Sequence, residues 1–134
     1  MRAAALLGVV VLLAACGGSG AGAEAQIRLV VADKNVREEG IECAGARPFQ
    51  HVHAGAPFTI EAEDGTVVAE GELPAGRAEN AEPGVDWGVE RIPTFCVLNV
   101  EVELPERPRY RFRIAGGRPL EFVVEDEPVV LVVG

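Results

Sequence analysis

The 134-residue chain is nearly devoid of serine, lysine and methionine, with Ser19, Lys34 and Met1 the single representative of each. The scarcity of serine and of methionine each removes a class of chemistry. Ser19 lies in a glycine-rich stretch near the N terminus, which leaves the rest of the chain without a serine nucleophile to pair with a histidine. With Met1 alone, and that in a leader, no thioether is left for a soft copper site. Aromatic residues make up 5% of the chain, with one tryptophan and one tyrosine, too few for a carbohydrate-stacking platform. Positive charge is also scarce: 12 lysines and arginines stand against 21 aspartates and glutamates, a formal net charge of −9. Such a balance repels polyphosphate backbones and anionic lipid surfaces, so no nucleic-acid partner and no electrostatic membrane docking are expected. The near-absence of lysine beside abundant alanine, glycine and valine reflects a GC-rich genome and says nothing of activity.

What is present begins with an apolar run, Ala3 to Ala15, preceded by Arg2. A bilayer-spanning helix needs about 20 apolar residues, and this run is shorter. It fits a cleaved secretory leader, residues 1–15. The run ends in Leu13-Ala14-Ala15-Cys16, which looks like a lipobox: leucine, two small residues and a cysteine whose thiol is acylated before cleavage makes it the first residue. The alternative is an ordinary signal peptide in which Cys16 happens to follow the small pair. Residues 16–25 read as the lipidated cysteine and a flexible tether, since Gly17 to Ala23 carries no apolar periodicity and behaves as a coil. Cleavage removes Arg2 and leaves 11 basic against 21 acidic residues, a balance of −10. The expected address is therefore the extracytoplasmic face of the cell membrane, held by lipid on Cys16.

Residues 26–134 suit one compact domain. Cys43 and Cys96 are its only cysteines, and an even pair in an exported domain reads as a disulfide. The bridge would close a loop of about 54 residues, worth about 4 kcal/mol by restricting the unfolded chain. A thiolate metal site or a catalytic cysteine is the competing reading. It lacks a second nearby ligand cysteine and sits in an oxidising compartment.

Along the domain, residues 26–33 (QIRLVVAD) read as a strand, and residues 34–42 as a polar connection or short continuation. After a turn at 44–48, residues 49–53 suggest a short edge strand. Pro57 to Leu73 reads as a hairpin: Phe58, Ile60 and Ala62 alternate with Thr59, Glu61 and Glu63, and Asp64-Gly65 supplies the tight turn. Residues 74–93, broken by Gly76, Pro83, Gly84, Gly88 and Pro93, read as a long loop, with Trp87 expected as a plug against the core more than as a ligand platform. Thr94 to Leu104 places Cys96, Leu98, Val100, Val102 and Leu104 on one face. Arg109 to Ala115 places Tyr110, Phe112 and Ile114 inward and three arginines outward. These two segments are expected to form a hairpin, with Tyr110 opposite Leu104 or Val102, so that Glu101 and Glu103 face Arg109, Arg111 or Arg113. Further strands are expected at Leu120–Glu125 and Val129–Val133. No stretch reads as an amphipathic helix. The pattern predicts an all-β fold, a single immunoglobulin-like or transthyretin-like β-sandwich of seven to nine short strands.

The order Cys43, Phe49, Ala54-Gly55-Ala56-Pro57, EDGTVVAEGEL, CVLNVEVELP and YRFRI, over residues 43–115, resembles small secreted proteins and lipoproteins of high-GC Gram-positive, actinobacterial bacteria. The resemblance rests on the cysteine pair and the hairpins, and implies an exported all-β domain with no activity attached. The EDGTVVAEGEL hairpin also looks like β-sandwich repeats of surface proteins.

The most suggestive side chains are His51 and His53, the only histidines, which in a strand would point to one face. An H-x-H pair can hold zinc or copper with a third ligand such as Asp33, Glu42 or Glu61. The competing reading is two ordinary surface histidines. With 21 acidic residues some carboxylate pair will lie close by chance, so a hydrolase-like pair carries weight only within a cleft. The expectation is a monomeric, non-enzymatic lipoprotein without catalytic residues or cofactor, presenting loops to an unknown envelope protein or polymer. The alternative is a divalent-metal-binding lipoprotein using His51 and His53.

Overall fold

The computed structural model describes residues 22–125 and 127–134. The leader, Cys16 with its expected lipidation, and residues 17–21 of the tether lie outside the described residues. The described chain forms strands β1 (Ala23–Glu38), β2 (Glu42–Cys43), β3 (Pro57–Ala62), β4 (Val67–Glu72), β5 (Gly76–Asn80), β6 (Arg91–Leu104), β7 (Tyr110–Ile114), β8 (Leu120–Phe122) and β9 (Val129–Val133), and no helix. They make two sheets, β2-β5-β6-β1-β9 and β4-β3-β7-β8, packed as a β-sandwich. All pairings are antiparallel except β1 with β9, which is parallel.

Period-two alternation builds the core. From the larger sheet Ile27, Leu29, Val31, Leu98 and Val100 point inward; from the smaller, Phe58, Ile60, Tyr110, Phe112 and Ile114 meet them. Phe58 stacks on Phe112 with ring centroids 5.0 Å apart, and Tyr110 on Phe122 at 5.1 Å. Full burial of a side chain such as Leu29 or Ile60 stabilises the fold by about 1.5–3 kcal/mol. The 57–73 hairpin forms as its alternation predicts, with Gly65 at φ 85° and the Thr66 amide donating to Asp64 Oδ1.

Three expectations are overturned. β6 and β7 do not form a hairpin: β6 lies between β5 and β1, and β7 lies in the other sheet between β3 and β8. The same inward parity that would align their apolar residues side by side also lets them face each other across the core, and the chain takes the second solution. The arginines of β7 therefore meet other partners. Arg111 pairs with Glu61 and Glu121 and Arg113 with Glu61, while Glu101 and Glu103 lie opposite Gln26 and Glu24 on β1.

Second, the loop expected at 74–93 contains β5, and β6 starts at Arg91, so the irregular part shrinks to 74–75 and 81–90. Third, residues 49–53 are turns and not an edge strand. The ends of the first strand also move. β1 starts at Ala23, inside the expected tether, and runs through a bulge after Val31, where Lys34 takes φ 50°, before its ladder with β6 resumes at Asn35 opposite Thr94.

Candidate functional site

β1 begins at Ala23 opposite Leu104 and ends at Glu38 opposite Arg91, so the sandwich has a near end, where β1 starts, and a distal end. At the near end a shallow cleft of about 330 Å³ is lined by Glu24, Glu106, Arg107, Tyr110, Val124 and Glu127. The distal end gathers residues 44–56, 81–90 and 115–117.

The 44–56 loop is fastened from two directions. Cys43 and Cys96 form the expected disulfide, with Cα atoms 5.8 Å apart and Cys96 fully buried. Gly76 of β5 makes room for it: a Cβ there would fall 2.5 Å from Cys96 Sγ and 2.8 Å from the Cys43 carbonyl oxygen. The second fastening is a buried ion pair. The β1 bulge turns Arg37 toward the core, where it donates to Asp33 Oδ1 (3.1 Å) and Oδ2 (2.6 Å), Thr94 Oγ1 (3.1 Å) and the Ala44 carbonyl (3.0 Å). The Ala46 amide donates to Asp33 Oδ2 at 2.9 Å, and the Thr94 hydroxyl to the Asn35 carbonyl at 2.8 Å. Both side chains are buried, Asp33 completely. Burial works against the Asp33 charge, but Arg37 and the Ala46 and Asn35 amides more than offset it and hold the carboxyl below its ordinary value of 3.8. Sequence reading missed this network. Its signal was an arginine at an inward-parity position, four residues after an aspartate.

The histidines sit on this braced loop without strand geometry. The Gly45 amide donates to the Val52 carbonyl and the Val52 amide to the Phe49 carbonyl, and the resulting turns send Val52 fully into the core. His51 is half-buried over Gly116-Gly117, where a Cβ on Gly117 would come within 2.6 Å of its Nε2. His53 is exposed, with Nδ1 2.9 Å from the Ala54 carbonyl oxygen. Two of the three expected third ligands are spoken for: Asp33 is spent on Arg37, and Glu61 accepts from Arg113 Nε at 2.9 Å. Glu42 is exposed on β2. Among the described residues no group of three or more His, Cys, Asp or Glu is placed to hold a metal ion.

Trp87 also departs from its expected role. It is half-buried within the 81–90 loop and does not join the core cluster; its indole N–H donates to Asn80 Oδ1 at 3.4 Å, at the end of β5. The distal end thus carries a half-buried tryptophan, a half-buried histidine and an exposed one. Comparison with protein-family models, with curated proteins and with solved structures found no match to this chain in any of the three.

Proposed function

We propose that the protein is a lipid-anchored lipoprotein on the extracytoplasmic face of the cell membrane, a non-enzymatic β-sandwich that presents its distal loops to an envelope protein or polymer. The observation that carries this reading is the buried Cys43–Cys96 disulfide, which belongs to an oxidising, exported setting and agrees with the leader and Leu13-Ala14-Ala15-Cys16. The strand order adds support, because a tether entering at Ala23 leaves the distal loops at the far end of the domain. Glu24, Glu106 and Glu127 at the near end would be repelled by anionic headgroups, so attachment falls to the lipid and the tether holds the domain off the surface. The non-enzymatic part of the reading draws on composition, since the sole serine, Ser19, lies outside the domain and leaves it without a serine nucleophile.

Fractionation of cells producing the wild-type chain and Cys16→Ala tests the anchor. The wild type should stay with the membrane and carry a diacylglyceryl group on Cys16 by mass spectrometry, and the variant should lose both properties. Identical fractionation of the two, or an unmodified Cys16, would overturn it. Cross-linking in intact cells followed by capture then identifies the partner, and turnover of an envelope polymer by the purified chain would defeat the non-enzymatic reading.

A further inference from the structure

The two sheets have four edge strands, β2, β9, β4 and β8, and three of them carry features that discourage pairing with another chain. β2 is two residues long and bears Glu42. β8 is three residues long and bears Glu121. β4 bears Glu70 and Glu72 and has a register shift against β3. β9 has none of these. It reads VVLVV, the only strand among the described residues without a charged side chain, and it pairs with β1 alone. Its outward residues, Val130 and Val132, are 56% and 55% exposed. Val132 lies beside Val30, which is half-buried on the same face. Arg28, the charged neighbour of Val130, is turned away into its ion pair with Glu79.

We infer that β9 is the docking edge for a second copy of this chain, giving a two-fold dimer through antiparallel β9–β9 pairing. The sequence of the strand chooses this occupant. The strand is a palindrome about Leu131, so antiparallel pairing centred there sets Val129 of one copy against Val133 of the other and Val130 against Val132. Every position meets an apolar equivalent, the self-complementarity that a two-fold contact requires. Charge chooses the edge: association through β4 would set glutamates against glutamates, whereas β9 itself bears no charged side chain. The pairing extends the five-stranded sheet through both copies and buries the exposed valines at the junction. It departs from the monomer expected from sequence, and it does not depend on the lipid anchor.

All nine strands, the core and the disulfide lie within residues 22–134, so that chain serves for the test. Sedimentation equilibrium should show its mass rising with concentration to that of two copies and stopping there. Val132→Lys, an exposed substitution, should keep the wild-type strand content by circular dichroism and stay at one copy. A register-specific trap completes the test: under mild oxidation a mixture of Val130→Cys and Val132→Cys chains should cross-link several-fold more than either variant alone. A single-copy mass across the micromolar to millimolar range would overturn the inference. So would assembly beyond two copies, undiminished association of Val132→Lys, or equal cross-linking of the separate variants.

Discussion

The side chain on which most depends is Asp33. It is buried, it accepts from Arg37 and from the Ala46 and Asn35 amides, and through Ala46 it fixes the start of the loop that carries both histidines. Removing one partner of a buried ion pair leaves the other charge uncompensated, a loss of about 3–5 kcal/mol. Asp33→Asn should therefore destabilise the domain by about 3 kcal/mol at pH 7 in urea denaturation. The pH dependence has a definite sign. The folded-state carboxyl binds its proton less readily than the unfolded one, so its contribution is complete above about 3.8 and drains away as pH falls through the lower folded value. Wild-type stability should fall steeply below pH 4, and the Asp33→Asn profile should be flatter there. A parallel fall in both would mean that other groups carry the acid sensitivity. Sequence alone offered Asp33 as a possible metal ligand; the bulge that brings Arg37 around to it comes from the β1–β6 ladder, and no local pattern encodes that.

Most strands were legible as elements, but apart from the β3–β4 hairpin their partners were not. Alternation in Phe58–Ala62, Cys96–Leu104 and Tyr110–Ile114 identifies an inward face in each, because one face meets apolar side chains and the other meets water. Neighbours in one sheet and opponents across the core obey the same parity, so alternation cannot separate the two, and the β6–β7 connection was misassigned for that reason. β5 escaped for another. Its inward positions are Gly76 and Ala78, kept small where the disulfide passes, so the strand lacks the bulky alternation that would announce it. The arch from β6 to β7 has its own fastening in Tyr110, whose hydroxyl donates to the Pro105 carbonyl at 2.6 Å and accepts from the Arg107 amide at 3.0 Å. This is the tyrosine-corner arrangement of β-sandwiches, here at the point where the chain changes sheet. Tyr110→Phe keeps the ring stacked on Phe122 and deprives two backbone groups of their partner. It should cost about 1–3 kcal/mol by thermal denaturation while leaving the strand content by circular dichroism unchanged.

For the molecule as a whole, the disulfide restrains the unfolded chain more than it shapes the folded one, since β2, β5 and β6 are also joined by ladder hydrogen bonds. Its reduction should lower stability by about 4 kcal/mol, read as a shift of the urea midpoint with and without reductant. A loss well under 1 kcal/mol would show that the reduced chain already holds those strands together. The distal end of the sandwich was legible only in part: the histidines and Trp87 stood out by rarity, but their meeting at one end depends on which strands pair.

The parallel pairing of β1 with β9 carries a consequence for how the molecule is assembled. Ile27 to Val31 need Val129 to Val133 as their neighbours, so β1 waits for β9, about a hundred residues further along the chain. Until those final residues arrive, Val129 and Leu131 are missing from the core and one side of β1 stands open. Contacts so distant along the chain form late and make folding slow. The larger sheet is therefore completed only when β9 is added beside β1, long after the residues of β1 themselves are available.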